Sequence, residues 1–245
     1  MNPVQADIEP GGAVPAGGAA DPAATFAATR VFLRPLANPL SLGFVGLFLA
    51  TMLLTGLQLG WVPVTDTHML ALAVLVSTST VPARLIACIY GFLTRDSVAA
   101  TGMGILFGIW ASVALISLMS PPGSHSPGLG LVLVLGAAAL CMPAAGAAPA
   151  KRLAAAVMFS TAVRWGLTAA YEFSGSGTWE VAAGAAGLCL GLVALYATLA
   201  FEMEDQNRRT GLPTFRRGAG EVAMVGGLSD QVSRAANEAG VRKQL

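Results

Sequence analysis

Charge is the first thing that this sequence lacks. Only 11% of its residues are Asp, Glu, Lys or Arg, whereas an ordinary soluble domain carries about 25%. Hydrophobic residues make up 55% of the chain, and the mean hydropathy is +0.67. The formal net charge is +1, and no basic patch occurs outside the two ends of the chain, so a nucleic-acid-binding surface is not expected. This composition predicts an integral membrane protein.

The sequence also has few of the side chains that catalysis and metal binding need. The two histidines, His68 and His125, lie in separate loops, and no Gly-rich phosphate loop, His-Glu-x-x-His motif or serine elbow occurs. The three cysteines fall inside apolar segments without a Cys-x-x-Cys pair, as is typical of small buried hydrophobic residues: Cys88, Cys141 and Cys189. We therefore expect neither an enzyme nor a bound metal or cofactor. Permeation and signalling are the functions that remain.

Long apolar runs are what the chain does have. A membrane-spanning helix needs about 20 apolar residues to cross roughly 30 Å of hydrocarbon. Six windows meet this length, and turn-rich breaks separate them: 39–60, 69–93, 97–119, 127–147, 152–172 and 179–202. The sequence thus predicts an all-α membrane protein with six transmembrane helices within residues 37–204. Residues 1–36 predict a disordered N-terminal tail without a signal peptide, and residues 205–245 predict a C-terminal tail.

The basic residues predict the orientation of these helices. With both termini cytoplasmic, every Lys and Arg except Arg84 and Arg164 falls in an inner segment. The outer loops instead hold acidic residues and histidines: Asp66, His68, His125, Glu172 and Glu180. Because cytoplasmic segments of membrane proteins are enriched in Lys and Arg, we expect a multi-pass protein of the plasma or inner membrane with both termini cytoplasmic.

Two arginines are predicted near the middle of the membrane. Arg84 lies about ten residues from the inner end of the second window, and Arg164 lies twelve residues past Arg152. An arginine at this depth costs about 2.5–3.5 kcal/mol on insertion scales, so it faces a cavity or a partner. In one interpretation the two arginines form a polar path that attracts small carboxylates. In the other, each satisfies backbone carbonyls or an acidic partner and locks the bundle.

Asn38 and Pro39 predict the start of the first helix. An Asn side chain accepts hydrogen bonds from the free N–H groups of a first helical turn, and Pro is favoured at the first helical position because its missing N–H costs nothing there. Taken alone, the pair is a helix cap at the cytoplasmic face.

Three segments carry a family resemblance. They are "ANPLSLGFVGL" at 37–47, "ARLIACIYGFLTRDSVAATGMGILFGIW" at 83–110 and "LYATLAFEMEDQNRRTGLP" at 195–213. Together they resemble the signature segments of the acetate uptake transporter family, which includes the bacterial succinate–acetate permeases. The resemblance covers about residues 37–217. It implies a lipid-embedded, proton-linked channel or carrier for acetate and related small monocarboxylate anions, assembled as a homohexamer with one six-helix pore-forming bundle per protomer.

The resemblance also implies pore positions. The family's constriction has an aromatic residue on helix one, another on helix three and an aliphatic residue on helix five, which correspond by position to Leu47, Leu106 and Thr161. Arg84 stands where the family has a glutamine, and Gly91 where it often has a glutamate. The predicted substrate and pore residues are Asn38, Pro39, Leu47, Arg84, Leu106, Thr161 and Arg164.

These departures leave two functional hypotheses. The first is a carboxylate permease with an altered constriction. The second is a non-transporting membrane subunit or sensor of the same fold, which binds a cytosolic partner through residues 205–245. In that tail Arg216 and Arg217 lie next to the membrane, where contact with anionic lipid is expected.

Overall fold

Six long helices make up most of the part of the chain that the structure describes. The computed structural model describes residues 36–207, 211–218 and 220–221, and the predicted tails, 1–36 and 205–245, lie mostly outside these residues. Within the described part, six helices are long and apolar enough to cross a membrane. They are α1 Pro39–Gln58, α2 Asp66–Leu93, α3 Ser97–Met119, α4 Pro127–Ala147, α5 Arg152–Ser174 and α6 Gly177–Asn207. The predicted all-α fold with six spans is confirmed, and each predicted window overlaps one helix.

Side-chain caps set where several helices begin. Asn38 Oδ1 accepts from Leu40 N at 3.0 Å, and Pro39 is the first residue of α1. Asp96 Oδ1 accepts from Ala99 N at 3.1 Å at the start of α3, and Ser126 Oγ accepts from Leu129 N at 3.3 Å at the start of α4. The first-turn N–H groups of a helix lack partners within the helix, and these side chains supply the missing acceptors.

α2 is not a regular α-helix throughout. Its α-helical parts, Asp66–Leu75 and Val81–Leu93, are joined by a π-turn at Val76–Thr80. Hydroxyls of the turn donate back to carbonyls one turn earlier, with Thr80 Oγ1 3.0 Å from Val76 O. The inserted residue lies just before Pro82, which cannot donate to the helical ladder.

α1 and α5 have the largest buried fractions of the six helices. More than half of the spanning window of α1 and of α5 is buried inside the protein, and less than half of the other four. Most buried polar side chains of the described helices lie on these two: Ser41, Thr51, Thr55, Gln58, Thr161, Arg164, Thr168 and Glu172. The interior between α1 and α5 is thus where a polar path is available.

α2 and α3 approach each other closely at Gly91. A Cβ atom on Gly91 would lie 2.8 Å from Ala100 Cα, a distance that backbone atoms do not allow. The glutamate that the family often carries at this position does not fit this packing. Gly91 is therefore a contact point between two helices rather than a pore position.

A C-terminal return segment, residues 211–218, folds back on the inner ends of the helices. Arg216 Nε and Nη2 donate to both oxygens of Glu204, with Nη2–Oε2 at 2.7 Å, and Thr214 Oγ1 donates to Glu204 Oε1 at 3.0 Å. Glu204 is 1% exposed. The expectation that Arg216 meets lipid headgroups is wrong, because a buried carboxylate binds its guanidinium. Arg217 N also donates to Ala150 O at 3.1 Å, which ties the segment to the α4–α5 turn.

Candidate functional site

An open cavity lies at the end of the bundle that carries the predicted outer loops. Its empty volume, including space open to solvent at the mouth, is about 720 Å³. We call it the outer cavity; it is bounded by the last turns of α1, α3 and α5, the first turns of α2, α4 and α6, and the α3–α4 loop. Trp110 and Arg164 lie nine and ten residues from the outer ends of α3 and α5, which is about 14–15 Å at 1.5 Å per residue. These two residues are its floor.

Arg164 is the cation of the outer cavity. Its side chain is 1% exposed, and its Nη2 donates to Gln58 Oε1 at 3.1 Å. Gly187 on α6 makes room for it, since a Cβ atom there would lie 2.5 Å from Arg164 Nε. No carboxylate pairs with Arg164 among the described residues. Gln58 therefore fixes the guanidinium in place without neutralising its charge.

Three buried polar atoms at the floor have no hydrogen-bond partner within the described residues: Arg164 Nε, Thr168 Oγ1 and Trp110 Nε1. Thr168 is 4% exposed and Trp110 is 1% exposed, and both line the outer cavity. Guanidinium and indole N–H groups donate only, while a hydroxyl both donates and accepts. Because an unmade hydrogen bond of a buried group costs about 1–3 kcal/mol, this set of donors suits a ligand that brings acceptor oxygens.

The mouth of the outer cavity is acidic. Glu172 and Glu180 both line it, together with Tyr171. Glu172 Oε2 accepts from the backbone N of Ser126 at 2.8 Å, which joins the end of α5 to the start of α4. The ring of His125 meets that of Tyr171 edge-on, with centroids 4.8 Å apart. The cavity thus places two carboxylates at its opening and one guanidinium at its floor.

Arg84 has a different environment from Arg164. It is completely buried and does not line the outer cavity. Its Nη2 donates to Gly46 O at 2.8 Å, its Nη1 to Thr80 Oγ1 at 3.3 Å, and its Cζ lies 5.2 Å from the centroid of the Trp110 ring. Of the two sequence interpretations, carbonyl binding describes the contacts of Arg84, and a cavity-facing cation describes those of Arg164.

The three predicted constriction residues lie inward of the floor. Leu47, Leu106 and Thr161 are each 0% exposed. Leu106 precedes Trp110 by one turn of α3, and Leu47 and Leu106 belong to the same buried apolar cluster. Thr161 Oγ1 donates to Val157 O at 2.7 Å within its own helix. The layer below the floor is therefore closed, with two apolar leucines and a threonine whose hydroxyl is bonded within its own helix.

Asn38 and Pro39 lie at the opposite end of α1 from the outer cavity. The Asn38 side chain is engaged in the helix cap, and Pro39 is buried. The seven predicted residues therefore lie in three places. Asn38 and Pro39 are at the inner start of α1, and Arg164 is at the cavity floor. The other four are buried outside the cavity: Leu47, Arg84, Leu106 and Thr161.

Several cavity residues were missed by sequence reasoning. Gln58, Trp110, Glu172 and Glu180 were not predicted as site residues, yet all line the outer cavity. One signal was available on α5, where Arg164, Thr168 and Glu172 recur every four residues and so share one helix face. The contact between Gln58 and Arg164 had no comparable signal.

The fold has a known counterpart. The chain is similar to the structure of the bacterial acetate channel SatP, with a TM-score of 0.64 and 25% sequence identity, over 74% of this chain and 99% of the channel. No protein-family model and no curated protein matches the sequence. The structural match confirms the resemblance to the acetate uptake transporter family. The 25% identity is consistent with a divergent member of that family.

Proposed function

We propose that this chain, a divergent relative of the acetate channel SatP, is itself a membrane channel or transporter for acetate and related small monocarboxylates. The observation that carries the proposal is Arg164, a buried guanidinium without a carboxylate partner at the floor of an open cavity. The proposal includes a multi-pass position in the plasma or inner membrane, cytoplasmic termini and assembly as a homohexamer, which the family resemblance implies.

The floor has the chemistry that a carboxylate needs. A carboxylate accepts several hydrogen bonds, and those from charged donors are the strongest. Arg164 supplies the charge, and the unpartnered Trp110 Nε1 and Thr168 Oγ1 are further donors beside it. Conduction also requires that an ion leaves its site again. The carboxylates of Glu172 and Glu180 in the same cavity weaken the net attraction for an anion, which favours release.

The closed layer supports proton linkage as part of the proposal. Leu47, Leu106 and Thr161 replace the family's constriction residues and are fully buried. Moving an ionised carboxylate through an apolar layer costs far more free energy than moving the neutral acid. A substrate that binds as the anion at Arg164 and crosses the layer as the acid therefore carries a proton with it.

Flux measurements on the purified full chain in proteoliposomes test the proposal. We expect saturable uptake of labelled acetate that is faster when the outside is acidic, and competition by propionate and butyrate. Protein-free liposomes under the same pH gradient measure the passive leak of the neutral acid. Absence of saturable uptake of any short carboxylate above that leak overturns the proposal.

A second candidate function follows from the C-terminal return segment. The ion pair between Arg216 and Glu204 joins this part of the C-terminal tail to α6. Arg217 N donates to Ala150 O in the α4–α5 turn. A cytosolic partner that binds the C-terminal tail, residues 205–245, would act through this segment on the inner ends of α5 and α6. Capture of such a partner by the full chain, together with no carboxylate uptake, would favour a membrane subunit or sensor.

A further inference from the structure

The outer cavity holds charges of opposite sign at its two ends. Arg164 lies at the floor, and Glu172 and Glu180 lie at the mouth; these are the charged side chains that line it within the described residues. His125, beside Tyr171, is the other titratable group packed against the mouth. For a simple monocarboxylate, the mouth repels what the floor attracts. The arrangement is complementary to a ligand that carries both charges.

The unpartnered donors indicate that a ligand, rather than protein alone, completes this cavity. Thr168 Oγ1 and Trp110 Nε1 are buried, line the same cavity and have no hydrogen-bond partner within the described residues. Thr168 lies on α5 between Arg164 and Glu172, four residues from each. A chain extended from floor to mouth passes this hydroxyl.

The separation of the charges sets the length of the ligand. Arg164 and Glu172 are eight residues apart on one helix, which places their Cα atoms about 12 Å apart along the axis. Helical side chains lean in the same direction, toward the N-terminus, so the two charged groups stay well separated. An α-amino acid, whose ammonium and carboxylate share one carbon, is too short to reach both.

We propose that the preferred ligand of the outer cavity is a short ω-aminocarboxylate, with its carboxylate on Arg164 and its ammonium on Glu172 and Glu180. This inference rests on the proposed function and names a ligand class for the same cavity. The Glu172 Oε2 atom already accepts from Ser126 N, and Glu180, half-buried at the mouth, lies within reach of the Tyr171 side chain. An ammonium group therefore binds the lone pairs that both carboxylates keep free. Trp110, Thr168 and Gln58 complete the carboxylate end.

The test compares 4-aminobutyrate with butyrate, which lacks the amine, and with glycine, which is shorter. 4-Aminobutyrate and butyrate have the same carbon chain, and glycine is the short aminocarboxylate. Binding to the purified full chain is followed by tryptophan fluorescence, since Trp110 and Trp165, two of the four tryptophans, line the cavity. Competition with labelled acetate in proteoliposomes is the second measurement. We expect 4-aminobutyrate to bind at least tenfold more tightly than butyrate and than glycine.

A variant at the mouth makes the test specific. Glu180→Gln is expected to weaken 4-aminobutyrate at least tenfold and to strengthen butyrate, because it removes an attraction for the ammonium and a repulsion of the anion. Misfolding does not change two affinities in opposite directions. The matched control is Glu202→Gln, an exposed acid near the other end of the same helix, for which both affinities stay as in the wild type.

Each outcome decides something different. Butyrate or glycine binding as tightly as 4-aminobutyrate overturns the inference, and the proposed function stands if acetate flux is saturable. Equal weakening of both ligands in Glu180→Gln also overturns it, because the amine is then not recognised at the mouth. Loss of all carboxylate binding and flux in the wild type overturns the proposed function itself.

Discussion

The guanidinium of Arg84 stacks on the ring of Trp110, with Cζ 5.2 Å from the ring centroid. Trp110 also lines the outer cavity, whereas Arg84 does not. The indole therefore lies between the cavity, which Arg164 faces, and Arg84, which α1, α2 and α3 enclose. Arg84 therefore acts on a ligand in the cavity by positioning Trp110 and not by direct contact.

Arg84→Gln is expected to lower stability and to change substrate affinity. A glutamine is too short to bind Gly46 O from this position, and the loss of that hydrogen bond costs about 1–3 kcal/mol, to which the lost stacking adds about 1–2 kcal/mol. The melting temperature and the KM for acetate flux are the two measurements. A lower melting temperature with an unchanged KM would assign Arg84 to the bundle alone.

Arg164→Gln is expected to raise the KM for acetate at least tenfold, because the floor loses its only cation within the described residues. Arg164→Lys should lose less, since it keeps the charge but not the planar fork of donors. Arg152→Gln is the matched control, since Arg152 is exposed at the inner end of the same helix. An equal rise in KM in the control would point to a general effect of net charge.

Gly187→Ala is expected to reproduce part of the Arg164 defect without touching a charge. The added Cβ atom would lie 2.5 Å from Arg164 Nε and would also meet Thr55 Oγ1, so the guanidinium must shift from its present position beside Gln58. Gly166→Ala on α5 has open space around it and should be neutral or stabilising by up to about 1 kcal/mol. Thermal unfolding and acetate KM, measured for both variants, separate local displacement of Arg164 from a general effect of Gly→Ala exchange.

The ion pair between Glu204 and Arg216 is expected to contribute more than an exposed pair. Glu204→Ala leaves Arg216, whose side chain is 10% exposed, without its carboxylate, and breaking a buried pair costs about 3–5 kcal/mol. A double-mutant cycle with Arg216→Gln isolates the coupling. Glu202→Ala, at an exposed neighbouring position, should change the free energy of unfolding by less than about 1 kcal/mol. Equal losses at 202 and 204 would contradict the prediction.

Features encoded locally were predictable from the sequence. The six spans follow from apolar runs of sufficient length, and the cap at Asn38 follows from residue types that satisfy free N–H groups. Even the boundaries of α3 and α4 agree with the predicted windows, because Asp96 and Ser126 cap them. Each of these features depends on interactions between residues that are close together in the sequence.

Pairings between distant residues were not predictable in the same way. Gln58 and Arg164 are 106 positions apart, and Glu172 and Ser126 are 46 apart. Nothing in either local sequence selects the partner, since several helices offer polar side chains at similar depth. The two arginines were indistinguishable for this reason: both are mid-span, and only the neighbouring helices enclose Arg84 and leave Arg164 facing the cavity.

The π-turn at Val76–Thr80 determines the direction in which Arg84 points. A π-turn holds one residue more than an α-helical turn, and each residue of a regular helix rotates the chain by about 100°. If the same sequence relaxed to continuous α-helix, Arg84 would turn by about that angle relative to residues 66–75 and leave Gly46. A deletion of Thr78 therefore keeps both halves of α2 facing their present neighbours, whereas a deletion of Ala83 rotates one half against the other. Val76–Thr80 is therefore the stretch of α2 where the loss of one residue is expected to preserve which faces the two halves present.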